Sequence, residues 1–91
     1  MKIRELLSDE TKWTKGAFAR TKDDVEIHSV SSYAVRWCLL GAMNKCYRDR
    51  APLVMKSVEA TCGGSMNLVE WNDAPERTFA EVKALVDKLD I

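Results

Sequence analysis

Residues 33–47 read Tyr33-Ala34-Val35-Arg36-Trp37-Cys38-Leu39-Leu40-Gly41-Ala42-Met43-Asn44-Lys45-Cys46-Tyr47, and the fold turns on how this stretch is placed. On a helical wheel its apolar side chains cover almost the whole circumference. A helix that is hydrophobic all round is one buried among neighbours. The stretch therefore predicts a central helix over 33–47, with Ser31 or Ser32 as its N-cap. Gly41 costs a helix interior about 1 kcal/mol relative to alanine. Close approach of another backbone would offset that loss.

The flanking segments are shorter and more amphipathic. Residues 2–8 read as a helix with Ile3, Leu6 and Leu7 on one face. Trp13 follows a polar turn as an anchor, and Gly16 suits a position that needs positive φ. Phe18-Ala19-Arg20 and Val25-Glu26-Ile27 alternate around a polar tip, which predicts a short hairpin near 18–27. Two short strands are marginal alone, so this pair must lean on a helix. Pro52 opens a helix over about 52–61, which Gly63-Gly64 ends. Met66 to Trp71 fits a short strand or a turn and a half of helix, and periodicity does not separate them. Asn72-Asp73-Ala74-Pro75 reads as a turn. Thr78 and Glu81 form a capping box for a last helix running to residue 90. There Phe79, Val82, Leu85, Val86 and Leu89 share a face, and Lys83 and Asp87 pair outside. The sum is a mainly all-α single domain, residues 1–91, of four to five helices around the buried central one.

Composition narrows the function. A chain of 91 residues has room for one core with little margin. Fourteen basic residues balance fourteen acidic ones. Residues 1–50 carry ten Lys/Arg against seven Asp/Glu, and residues 51–91 carry four against seven. Nucleic-acid modules draw most of their affinity from a basic surplus, which is missing here. A basic face on the N-terminal half, with Lys12, Lys15, Arg20, Lys22, Lys45, Arg48 and Arg50, leaves a nucleic-acid accessory role as an alternative. Cys38, Cys46 and Cys62 are odd in number and widely spaced, which argues against a disulfide framework. No apolar leader follows Met1, and the longest apolar run falls far short of the roughly 20 residues that span a bilayer. A cytoplasmic protein without a membrane partner is expected.

Few residues suggest chemistry. One histidine, His28, and no Cys-x-x-Cys pair give no structural zinc set, and no metal or other cofactor is expected. A thiol enzyme would need Cys38, His28 and Asp73 to converge; otherwise Cys38 is a small buried hydrophobe. Arg36 interrupts the most apolar stretch. A buried guanidinium must be paired, so Arg36 is a staple to Asp73 or an anion site, unless it lies on the one wet stripe of the helix, near Asn44. Trp13, Trp37 and Trp71 are core anchors or, if surface-clustered, hot spots of a partner site.

Several of these residues carry a resemblance. Trp13, Gly16, Ala17 and Arg20, then His28 and Ser29, precede the string Ala34-Val35-Arg36-Trp37-Cys38-Leu39-Leu40-Gly41-Ala42. A second string is Trp71-Asn72-Asp73-Ala74-Pro75, followed by Thr78, Glu81 and Val82. With these the chain resembles a family of small bacterial and phage proteins classed as a domain of unknown function, over about residues 3–90. The resemblance implies a mostly helical intracellular fold and a bacterial or phage source, with no activity attached.

The expected function is a non-enzymatic protein-interaction module, with a phage-encoded modulator or inhibitor of a host system as one form of it. The binding residues would be Arg36, Trp13, Trp37, Asn72 and Asp73, and the partner a protein, with self-association as a further option. The alternative is a small-ligand binder or Cys/His enzyme centred on Arg36, Cys38, His28 and Asp73.

Overall fold

The computed structural model describes residues 1–62 and 67–91. Helix α1 (Ile3–Leu6) leads through a 3-10 turn at Glu10–Lys12 to strand β1 (Ala19–Arg20). Strand β2 (Arg36–Trp37) runs directly into α2 (Leu39–Tyr47). A 3-10 turn at Arg48–Arg50 opens α3 (Ala51–Thr61), followed by α4 (Leu68–Asp73) and α5 (Phe79–Leu89). The fold is mainly helical with one short antiparallel pair, as the sequence predicts.

Helix α2 is the centre. It packs against α1, α3 and α4, and none of its residues is fully exposed. Ile3 and Leu7 from the α1 end, Leu39 and Met43 from α2, Val58 from α3, and Val82 and Val86 from α5 are among the fully buried core. The central helix is nevertheless shorter than 33–47. Tyr33 lies in a turn closed by the Ala34 N–H on Ser31 O, residues 34–37 are not helical, and the N-cap is Cys38, whose Sγ accepts the Gly41 N–H at 3.3 Å. Ser31 and Ser32 do not cap it. The reason is non-local: β1 claims the segment. Ala19 pairs with Trp37 and Arg20 with Arg36. The Val35 N–H donates to Arg20 O and the Cys38 N–H to Phe18 O. Val35 and Trp37 suit a strand as well as they suit a helix.

The hairpin expected near 18–27 is present as a single antiparallel bridge, Arg20 to Glu26, with Thr21 N–H on Val25 O and Ile27 N–H on Ala19 O. Thus β1 lies between two extended segments. Its pairing sets Arg20 directly opposite Arg36, a like-charge juxtaposition that is destabilising without an anion nearby. Asp24 supplies one. It turns back at φ 65° and places Oδ1 at 3.8 Å from Arg20 and 3.6 Å from Arg36. Arg36 also donates to Thr21 O at 3.0 Å. Arg36 is therefore tied to the tip of this hairpin, and the staple to Asp73 is not formed.

Elsewhere local signals hold. Pro52 lies in the first turn of α3, and Gly16 has φ 80°. The end of α3 at Gly63-Gly64 falls outside the described residues, as does Met66. Residues 68–71 are helical, so the ambiguous segment resolves as α4 in its described part. Asn72 and Asp73 close that helix rather than forming a turn, because α4 docks on α2 and buries Asn72.

At α5, the Thr78 hydroxyl accepts the Glu81 N–H at 3.3 Å and the Glu81 carboxylate accepts the Thr78 N–H at 3.0 Å. That bond, foremost, holds the Glu81 carboxyl below its ordinary range, with Arg77 acting in the same direction. Thr78→Ala is expected to lower stability by about 1 kcal/mol, read as a reduced denaturation midpoint. A depressed carboxyl stabilises the fold above its unfolded pKa, and that contribution fades as pH falls through the folded value. Glu81→Ala, unlike Thr78→Ala, which keeps the backbone N–H that the carboxylate accepts, should therefore converge with the native chain in stability as the pH is lowered past the carboxylate range. A gap that does not narrow would show that the Glu81 carboxylate is not part of the cap.

Candidate functional site

Asn72 ties the middle of the molecule together. It is fully buried, and its amide uses every bond it can make. Oδ1 accepts from Trp13 Nε1–H at 2.7 Å and from the Leu39 N–H at 3.0 Å. Nδ2 donates to Thr14 O at 3.0 Å and to Asp73 Oδ1 at 2.9 Å. The same Asp73 oxygen accepts the Gly16 N–H at 3.1 Å. One side chain on α4 thus fixes the start of α2, the loop at 13–16 and its own neighbour.

Beside this junction lies a cleft of about 230 Å³ lined by Gly16, Ala17, Phe18, Glu26, Cys38, Val69 and Asp73. It brings together Cys38 and Asp73, two of the expected catalytic residues. It does not include His28, which is exposed and accepts the Val30 N–H on its Nδ1. Arg36 is likewise elsewhere. Cys38 itself is only 2% exposed. Burial pushes its thiol above the ordinary range, and the Asp73 charge adds to this, while the Gly41 and Leu40 N–H groups pull the other way. A thiol held protonated is a poor nucleophile, since the thiolate is the reacting form. The cleft thus holds a capping thiol and two carboxylates, with no imidazole beside them.

Alkylation tests this arrangement. In native protein at neutral pH, Cys38 should stay unmodified by iodoacetamide, and Cys46, half-buried with its thiol pushed up to about 11, should react slowly. All three cysteines are free and should each take one label in denaturant. Rapid native labelling of Cys38 would mean an open, activated thiol.

The tryptophans are anchors. Trp37 is buried and its Nε1–H donates to Ser29 O at 2.9 Å. Trp13 is half-buried against Phe79, with ring centroids 6.2 Å apart. Trp71 is covered by the Arg77 guanidinium 3.9 Å from its ring centroid.

The exposed apolar surface lies elsewhere. Among the described residues, Phe18, Val25, Val30, Tyr33 and Val35 all fall between positions 18 and 35, leaving only Met1 and Leu53 outside that span. Three of them form a continuous strip. A hollow of about 280 Å³ is lined by Met1, Glu5, Leu6, Lys12, Ala34, Val35 and Trp37. A second, of about 560 Å³, is lined by Thr21, Lys22, Asp23, Ile27, Ser32, Tyr33 and Val35. Val35 belongs to both. Met1 and Tyr33, each 75% exposed, stand at the two ends, and Val35, 40% exposed, at the middle. Of the expected binding residues, only Trp37 reaches this strip, as part of its floor. Sequence reasoning passed over Tyr33 and Val35 because it enclosed both in a helix. The exposure of Tyr33 follows from the turn that the Ala34 N–H closes on Ser31 O, and that of Val35 from the alternation along 34–37, with Ala34 and Trp37 buried and Val35 exposed.

The family model described as Family of unknown function (DUF6197) matches residues 1–89. The chain belongs to this family. The match spans the whole arrangement described above, from the Met1 end of the strip to the last core residues of α5. No curated protein and no solved structure matches the chain. Among the described residues, no helix is long and apolar enough to cross a membrane, and no group of three or more His, Cys, Asp or Glu side chains is placed to hold a metal ion.

Proposed function

We propose that this DUF6197 member is a non-enzymatic protein-interaction module that binds through the strip of Met1, Val35 and Tyr33. The observation that carries this reading is that the strip joins two adjoining hollows at one shared residue. Scattered apolar side chains on a surface need no explanation, whereas contiguous apolar surface rimmed by polar groups marks sites of association. Here the floor is Leu6, Ala34, Trp37 and Ile27, and the rim is Glu5, Lys12, Lys22 and Asp23. Two acids and two bases are interspersed on the rim beside the Met1 α-ammonium, without the dense basic surplus that a polyanion partner calls for. The polar junction around Asn72 serves this role indirectly, by holding the α2 start and the preceding strand rigid. A modulator of a host system, encoded by a bacterium or a phage, is one form of this reading; the sequence resemblance bears on the source and not on the activity.

Paired charge substitutions test it. Val35→Glu should reduce retention of partner protein about tenfold or more, because a carboxylate then has to be desolvated in the centre of the contact. Leu53→Glu, at a residue 66% exposed on α3 and outside both hollows, should leave retention unchanged. Equal retention by Val35→Glu and the native chain, with both folded by circular dichroism, would refute the assignment.

A further inference from the structure

We infer that the Arg20–Arg36 pair is an oxyanion site, occupied in the free chain by Asp24 and open to the doubly charged phosphate or sulfate group of a ligand. The inference goes beyond the interaction reading and does not depend on the apolar strip. The antiparallel register sets the two arginines directly opposite each other. Such cross-strand neighbours have Cβ atoms about 4.5–5.5 Å apart. Both side chains are largely covered, Arg20 with 20% exposed and Arg36 with 31%.

A guanidinium carries five N–H donors. Arg20 commits three of them: Nε to Thr14 Oγ1 at 3.2 Å, and its terminal nitrogens to Asp24 O at 3.2 Å and Lys15 O at 3.3 Å. These bonds hold its fork in one orientation. Arg36 commits one, to Thr21 O at 3.0 Å. Among the described residues, the remaining donors of both forks have no hydrogen-bond acceptor.

Asp24 occupies the site loosely. Its Oδ1 stands 3.8 Å from Arg20 and 3.6 Å from Arg36, and its side chain is 70% exposed. Those separations allow Coulomb attraction but exceed hydrogen-bond length. One carboxylate thus serves two guanidiniums. Glu26 faces Arg20 across the isolated bridge, yet among the described residues it forms no ion pair with either arginine. A phosphate or sulfate group brings about two charges and three acceptor oxygens, enough to neutralise both forks and take up their unused donors. Asp24 can leave by rotating its side chain into water, since that carboxylate accepts no hydrogen bond within the chain among the described residues.

Backbone-amide NMR titration of the full chain tests this, with phosphate, sulfate or acetate added at constant ionic strength. The pH is held above neutrality, where phosphate is mainly the dianion. Phosphate and sulfate should shift the amides of residues 21–25 and 36 saturably in the millimolar range, and acetate should bind about tenfold more weakly. Asp24→Asn keeps a residue that tolerates the left-handed backbone and removes the competing charge, so it should bind phosphate about fivefold or more tightly. Arg36→Gln should weaken binding about tenfold or more. Arg36→Lys keeps the charge without the fork, and should also bind more weakly than the native chain; it decides the matter if Arg36→Gln is unfolded by circular dichroism. The absence of saturable shifts in the native chain overturns the inference. So does equal binding of acetate, equal binding by the folded Arg36 variants, or an Asp24→Asn affinity no higher than native. Binding by Asp24→Asn alone also overturns it, because Asp24 is then a permanent partner of the pair.

Discussion

Asn72→Leu is expected to remove about 3–5 kcal/mol of stability, the largest loss from any single polar substitution in the molecule. Leucine matches the amide in size and leaves no cavity, so the cost is electrostatic. The Leu39 N–H, one of the first donors of α2, loses its acceptor in a buried position. Trp13 Nε1–H and Thr14 O lose theirs in a half-buried one. Each buried polar group left without a partner costs about 1–3 kcal/mol. A domain of this size has only about 5–15 kcal/mol in total. The melting temperature should fall by about 15–30 °C, given about 4–8 °C per kcal/mol at this length. A fall under about 5 °C would show that these bonds do not hold α2, α4 and the 13–16 loop together. Asn72→Asp gives a pH-resolved version. The introduced carboxyl keeps the acceptor for Trp13 and Leu39 but sits beside Asp73 in a dry site, so its pKa is raised on folding. A raised carboxyl pKa stabilises below the unfolded value and costs above it. The deficit against the native chain should therefore be largest near neutrality and shrink toward about pH 4.

Gly41→Ala should also destabilise, by about 2–3 kcal/mol or more. The sign is the informative part. In an exposed helix interior this change gains about 1 kcal/mol. Here a Cβ on residue 41 would lie 1.8 Å from Phe18 O and 2.7 Å from Phe18 C. Both are backbone atoms, and Phe18 O already accepts the Cys38 N–H at 3.2 Å. No rotamer change relieves such an overlap. The methyl fits only if β1 is pushed off α2, which disturbs the Arg20–Arg36 register and the Cys38 cap together. Guanidinium denaturation should show a lower midpoint with an unchanged slope. Equal or greater stability would mean that β1 does not lie against the first turn of α2.

Both substitutions concern residues that the sequence singles out, and they show what was readable. Gly41 was legible because a glycine inside so apolar a run has one economical use, the close approach of another backbone. The Thr78–Glu81 box, Pro52 at the start of α3 and the turn at Gly16 were legible because each is decided within a few residues. The start of α2 was not. From Tyr33 to Met43 the chain offers only one charged residue, and an apolar run without a polar stripe suits strand and helix alike. What decides it is hydrogen bonding to Ala19 and Arg20, some seventeen positions away in sequence. The same register explains Arg36. Its need for an anion was legible, but the choice of Asp24 over Asp73 depends on which strand lies beside it.

The candidate site followed the same division. Cys38 and Asp73 share a cleft, as the catalytic alternative required, yet His28 stands outside it. Asn72 and Trp13 drew attention as binding residues, and the structure uses them to bind each other. The strip was hidden by the misplaced helix start. With Tyr33 in a turn and residues 34–37 outside the helix, Tyr33 and Val35 face outward and Ala34 inward, and both hollows take Val35 into their lining.

Photo-crosslinking from two positions tests that strip most directly. A benzoylphenylalanine in place of Tyr33 and another in place of Leu53 present the same reactive group from two exposed apolar sites, one on the strip and one on α3. Irradiation should give protein adducts from position 33 and none above background from position 53. Adducts from position 53 alone, or equal yields from both, would contradict the account.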